Sequence, residues 1–213
     1  MGDPRVALIV APHPDDEVIG AAGLVSLLSL RGTRVRVAIV SDGSASHGAS
    51  RQWPRERLVA QRRRESRRAL LRLGVDARSV TFLGFPDGHL SGCTAHCRRA
   101  LNRLIARLSD LDLIVGPVAD DAHPDHRAVA AALAACRFAA RRLGYRVWPH
   151  NQHRRGSDRS VRMAGGWFAK RSLLGLYRTQ LGGIRDDPAG FTIAPHELAA
   201  FAHPIEQFGE LCS

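Results

Sequence analysis

The chain has 213 residues, 45% hydrophobic and 24% charged, with a net charge of +11. This length suits one domain around one core, so the reading is a single domain over 1–213. No stretch is apolar enough to cross a bilayer, and Met1–Arg5 runs straight into Val6–Ala11 without a basic leader, so a cytoplasmic protein with no membrane span is expected.

In chain order, Val6–Ala11, Arg34–Val40, Ser79–Leu83, Leu111–Val115 and Tyr145–Trp148 read as β-strands, being short and rich in β-branched residues. Helical patterns fill the gaps. Glu17–Leu30 is apolar on nearly all sides and ends before Gly32, and Glu56–Leu73 stops at Gly74. Cys97, Leu101, Leu104 and Leu108 mark one face of a third helix. Val129, Leu133, Cys136 and Ala140 mark a fourth, which is expected to end at Gly144. This alternation predicts an α/β chain: a Rossmann-like, doubly wound, mainly parallel sheet with helices on both faces. Ser41–Pro54 and Asn151–Ser160 follow predicted strands and are expected to be lids or substrate-binding loops.

Arginine supplies 30 of the 31 cationic residues, Lys170 being the one lysine. The densest run, Arg51 to Arg72, carries only Trp53 for stacking, so a solvated helix face is expected rather than a nucleic-acid surface; an anionic substrate stays open. Cys93, Cys97, Cys136 and Cys212 lack the paired spacing of a cysteine metal site and read as reduced thiols.

Two motifs carry chemistry. The first strand ends in Ala11-Pro12-His13-Pro14-Asp15-Asp16-Glu17, where one acid would serve as a helix cap but three acids behind a proline-flanked histidine exceed that need. The fourth strand is followed by Asp120-Asp121-Ala122-His123-Pro124-Asp125-His126. In the strand order 3-2-1-4-5, strands 1 and 4 are neighbours at the switch point, and the residues after them face one crevice. His13, Asp16 and His126 then supply two imidazoles and a carboxylate, a donor set suited to zinc with a fourth position left for water. Asp15, beside Asp16 but pointing elsewhere, is placed as general base. His123 is placed to stabilise the developing oxyanion or to protonate the leaving amine, or else is a turn residue bonded to the backbone. Asp125 would orient the His123 ring or only cap the helix. Arg62 and Glu65 share the half-apolar face of the second helix, as a buried ion pair or with Arg62 on substrate. Asp87, in a Pro-Asp-Gly turn, shapes that turn or accepts hydrogen bonds from substrate hydroxyls.

Pro12–Glu17 and His123–His126, together with Arg62–Glu65, Leu73-Gly74-Val75, Phe85–Gly88, Lys170–Leu173 and Tyr177–Gln180, resemble the PIG-L / LmbE-like de-N-acetylases. The resemblance implies a Rossmann-like fold and metal-dependent hydrolysis of an N-acyl bond, commonly acetyl on an N-acetylglucosamine conjugate. It implies Zn2+, with Fe2+ as the alternative, and Asp15 as base. It favours a substrate role for Arg62 and for Asp87, and it leaves room for a homo-oligomer. Tyr177 and Gln180 are taken as packing or site-wall residues. A thiol-conjugate amidase is the nearest alternative and a phosphoesterase a more distant one.

Overall fold

The computed structural model describes residues 3–148 and 159–211. Its seven-stranded sheet comprises β1 (Val6–Ala11), β2 (Arg34–Ser41), β3 (Val80–Phe85), β4 (Leu111–Pro117), β5 (Arg141–Tyr145), β6 (Arg159–Arg162) and β7 (Ile205–Glu210). Six α-helices accompany it among the described residues: α1 (Asp16–Leu30), α2 (Arg55–Arg72), α3 (Thr94–Ala106), α4 (Pro124–Ala134), α5 (Gly166–Leu174) and α6 (Pro195–Phe201). The strand order is β3-β2-β1-β4-β5-β7-β6. The first five strands are parallel, and β7 pairs antiparallel with both β5 and β6.

β1 shows why the sheet is double-faced. All six of its residues are buried, and they alternate between two cores. Ala7, Ile9 and Ala11 face one core with α1 and α2, and Leu8 and Val10 face the other with α3 and α4. The change of winding falls between β1 and β4, where Ile9 lies opposite Val115. The loops after these strands therefore open on one side, at the switch point.

The fifth strand was expected at Tyr145–Trp148 and begins earlier, while the fourth helix ends earlier, at Ala134. The guanidinium of Arg142 donates to the carbonyls of Leu133 and Cys136, ending the helix from the side. Gly144 is thus a strand residue rather than a helix stop. A Cβ there would meet Val118 at 2.7 Å and Leu211 at 2.9 Å, so the glycine allows close packing.

Beyond Trp148 sequence patterning predicted a loop and no strand or helix. β6, β7 and α6 add a flank that grips α1: Glu206 of β7 accepts from the amides of Gly23 (2.9 Å) and Leu24 (3.1 Å) in mid-helix. Lys170 of α5 bonds to Glu206 at 2.7 Å and to the carbonyl of Ile19 at 2.9 Å. The sole lysine is a buried structural tie. Of the second expected loop, 151–158 lie outside the described residues, and Arg159 and Ser160 open β6; Cys212 also lies outside them. Cys93, Cys97 and Cys136 are free thiols. Among the described residues no helix is long and apolar enough to cross a membrane.

Candidate active site

The floor of the crevice is a triangle of three donor atoms. His13 Nδ1 and Asp16 Oδ2 are 3.1 Å apart, His126 Nε2 and Asp16 Oδ2 3.1 Å, and the two imidazole nitrogens 3.2 Å. Four ligands at ~2.0 Å in a tetrahedron stand ~3.3 Å from one another, so the triangle has the size of one face of a zinc tetrahedron. At most one proton can lie between the two facing nitrogens, whereas a cation satisfies all three donors. The outer nitrogens fit the same reading. His126 Nδ1 faces Asp121 Oδ2 at 3.3 Å, and His13 Nε2 faces Asp125 Oδ2 and Asp87 Oδ1, each at 3.2 Å. Carboxylates that take the outer N–H leave the inner lone pairs free for a metal.

Without a cation this cluster is electrostatically loaded. Burial works against charge on Asp16, but the charges and hydrogen bonds of His126 and His13 overcome it and hold the carboxyl far below the usual range. Burial likewise disfavours a charged His126, yet Asp16 and Asp121 raise it to about 9. His123 offers a further nitrogen, and one donor from each of His13, His123 and His126 lies within 4.8 Å of the others. The Asp16 triangle is tighter, and His123 is otherwise engaged.

His123 caps α4: its Nδ1 accepts from the Asp125 amide at 3.2 Å. This is the backbone-bonded turn role, and it has a chemical consequence. With Nδ1 an acceptor, the neutral ring carries its proton on Nε2, and His123 lines the cleft. Burial, followed by the neighbouring His13 and His126, lowers its pKa and keeps it neutral.

Asp125 does something other than expected. Its carboxylate does not orient His123; it accepts from the amides of Gly88 (2.8 Å) and Leu90 (3.0 Å) and faces His13. The cap bond to His123 comes from its backbone. Asp87 also turns to His13 through Oδ1, and its Oδ2 accepts from the Ala45 amide at 3.0 Å. Burial raises the Asp87 pKa, but His13, Arg62 and that amide together bring it to about 2. Asp87 lines the cleft, whereas Asp125 does not.

Asp15 occupies the N-cap position of α1 without making a side-chain cap bond, so its carboxylate is free of that duty. It faces Arg62, whose guanidinium donates to Asp15 Oδ2 at 3.2 Å, to the Pro14 carbonyl at 2.8 Å and to the Gly43 carbonyl at 2.9 Å. Burial pushes the Asp15 carboxyl up to about 8; Arg62 pulls it down, and the charges of Asp16 and Glu17 push it up. Arg62 therefore pairs with Asp15 and not with Glu65, which accepts from Thr179 Oγ1 at 2.6 Å and from the Thr179 amide. Gly43 makes room: its φ is +70°, and a Cβ would meet the guanidinium at 2.8 Å.

Two supporting acids escaped sequence reasoning. Asp121 is fully buried and accepts from the amides of His123 (2.9 Å), Val147 (2.9 Å) and Trp148 (3.1 Å) while facing His126. Glu17 accepts from the Asp15 amide at 2.9 Å and from the Tyr177 hydroxyl at 2.7 Å. Both lie inside the two motifs, and adjacency to a ligand or base was the only signal. Of the loop Ser41–Pro54, Ala45 and Ser46 line the cleft. The loop is pinned by Asp186 and Asp187, which accept from Gln52, Ser50 and Ala49.

The cleft above the triangle measures about 220 Å3 and includes Asp15, Arg62, Asp87 and His123. Buried acids of opposed tendency beside a convergent donor triangle suit metal-assisted hydrolysis.

Residues 8–136 match the family described as PIG-L: GlcNAc-PI de-N-acetylase. The Probable N-acetyl-alpha-D-glucosaminyl L-malate deacetylase 2 of Bacillus anthracis is 30% identical over 160 residues, 72% of this chain and 70% of that protein. Among solved structures, N,N'-diacetylchitobiose deacetylase from Pyrococcus horikoshii has a TM-score of 0.73 at 21% identity, covering 98% of this chain and 84% of its own. The 4-carboxy-2-hydroxymuconate hydratase of Pseudomonas putida has a TM-score of 0.68 at 14% identity, covering 98% and 97%. The fold thus carries more than one chemistry, and the site has to decide.

Proposed function

We propose, for a chain that belongs to the PIG-L family of de-N-acetylases, that it hydrolyses the N-acetyl group of an N-acetylglucosamine-type conjugate with one divalent metal, zinc in the first instance. The observation that carries this reading is the donor triangle of His13, Asp16 and His126, with Asp15 and His123 lining the same cleft.

Zinc held by those three donors would supply a Lewis acid, which lowers the pKa of water from 15.7 to about 7 and polarises the amide carbonyl. Asp15 takes the proton of the attacking water. The protonated carboxyl then returns that proton to the departing amine. His123, neutral and protonated on Nε2, donates to the carbonyl oxygen as negative charge develops there; each such donor is worth roughly 10²–10³ in rate. Arg62 holds Asp15 in place and borders the cleft, and Asp87 presents an acceptor for substrate hydroxyls. Asp125 and Asp121 fix the rings of His13 and His126. The net change is water plus amide giving acetate plus amine.

The test is metal content together with free-amine release from a panel of N-acetylglucosamine conjugates. About one zinc per chain and chelator-sensitive amine release are expected. Zinc-loaded protein that hydrates an unsaturated acid but releases no amine would overturn the reading.

A further inference from the structure

The cleft has a second character that the catalytic groups leave unused. Besides its polar groups, the cleft is lined by Trp148, Phe191, Phe201, Ile19 and Ile193. The aromatic rings meet edge to face: Trp148 lies 5.3 Å from Phe201 at 84° and 6.5 Å from Phe191 at 78°. We propose that this wall is a subsite for an apolar group, aromatic or aliphatic, joined to the amino sugar. The inference rests on the de-N-acetylase reading and adds the chemistry of the conjugate.

Depth sets the order of occupancy. Asp16 and His126 of the donor triangle are buried and His13 is half-buried, so the acetamide must reach the floor. Phe191 is 43% exposed and marks the rim, so whatever extends from the sugar passes it on the way out.

The wall is also built to hold its shape. The Trp148 amide donates to Asp121, and its carbonyl accepts from Ala122 at 3.0 Å, tying the indole to the loop that carries His123 and His126. The Phe191 amide donates to Ser46 at 2.6 Å, and the Ile193 amide to Gln180 at 2.9 Å. A preorganised apolar surface gains affinity because binding does not have to order it.

Among the described residues lining the cleft, Arg62 is the only lysine or arginine, and it is engaged by Asp15, Pro14 and Gly43. The surplus arginines of α2 turn elsewhere: Arg63 and Arg67 stack on Phe82 at 5.3 and 5.0 Å. Among the described lining residues, a dicarboxylate aglycone such as malate, which appears in the name of the Bacillus anthracis relative, would meet Asp87 and the aromatic rings and no further lysine or arginine.

The experiment compares kcat/KM for the phenyl, methyl and malyl glycosides of N-acetylglucosamine, in the wild type and in Phe191→Ala. Phenyl over methyl is expected at about tenfold or more, with the malyl glycoside no better than methyl, and Phe191→Ala should bring the phenyl preference toward one. A malyl preference, or a phenyl preference untouched by Phe191→Ala, overturns the subsite. Calorimetric titration with phenyl and methyl glucosaminide, the deacetylated products, reads the wall without turnover. Preferential phenyl binding without amine release from any glycoside keeps the wall and sinks the deacetylase reading. Equal affinities for both products sink the wall.

Discussion

Replacing Asp121 by Asn should weaken metal binding although Asp121 lies outside the donor triangle. Its Oδ1 accepts from the His123 amide, while Oδ2 accepts from the amides of Val147 and Trp148 and faces His126 Nδ1. Every group around this carboxylate is a donor. An asparagine is nearly the same size but must aim its NH2 at one side or the other, setting donor against donor in a fully buried place. An unsatisfied buried polar group costs roughly 1–3 kcal/mol, and loss of the partner of a ligating histidine typically costs 10–100-fold in metal affinity, about 1.4–2.7 kcal/mol. Zinc affinity is measured by competition with a chromogenic chelator at pH 7.5, and folding by near-UV circular dichroism. A folded Asp121→Asn protein that binds zinc within about twofold of the wild type would refute the idea that this carboxylate sets the His126 ring.

The remaining expectations separate roles that look alike in the fold. Asp15→Asn should keep zinc and lose most turnover. In the metal-free wild type, native Asp15 keeps its proton up to about pH 8 while the unfolded chain releases it near 3.8, so stability should fall with rising pH across that window and level off above it. Between pH 7 and 9 the decline from this group is about 1.4 kcal/mol, and metal-free Asp15→Asn should lack it in urea titrations at both pH values. His123→Ala should lower kcat roughly 10²–10³-fold with zinc content unchanged, while Asp125→Asn, acting on His13, should lower zinc affinity; the reverse pattern would restore the assignment of Asp125 to His123. Gly43→Ala should cost about 1–3 kcal/mol by urea unfolding, because alanine resists the +70° φ and its methyl displaces Arg62.

The parts of this molecule written in short-range pattern could be read before any coordinates. Val6–Ala11 was legible to the residue because a fully buried parallel strand is a continuous apolar run between turn signals. The crevice was legible because the order of strands 1 and 4 brings their loops together whatever the loops contain. The flank formed by β6, β7 and α6 was not. β6 is four residues long and mostly exposed, and β7 reads Ile-Glu-Gln-Phe-Gly-Glu, with a glutamate turned inward to α1 against the usual alternation. Only the tertiary partners, Lys170 and the mid-helix amides, make that inward acid reasonable. Within the site, spacing brought His13, Asp16 and His126 into one set but could not say which carboxylate supports which ring. Asp121 lies in the loop after β4 and Asp125 in the first turn of α4, and the ring each one faces depends on how the backbone turns between them.

That turn has a counterpart after β1, where two adjacent carboxylates, Asp15 and Asp16, both line the cleft. Neighbouring side chains point about 100° apart on a helix and to opposite faces of a strand, so neither regular conformation lets both converge. The chain solves this at Asp15, whose φ of 137° and ψ of −28° lie where non-glycine residues rarely go. Such a conformation costs on the order of 1–3 kcal/mol and persists only where its surroundings over-determine it. Here they do. Glu17 accepts from the Asp15 amide, the Val18 and Ile19 amides donate to the Asp15 carbonyl, and Arg62 donates to the Asp15 carboxylate. Tyr177 and the Gly43 carbonyl in turn fix Glu17 and Arg62, so residues more than a hundred positions apart hold one strained backbone unit. A glycine would relax the backbone but would remove the proposed base, and an ordinary helical aspartate would point away from the cleft. The strain follows from turning two consecutive carboxylates, the proposed ligand Asp16 and the proposed base Asp15, into one cleft.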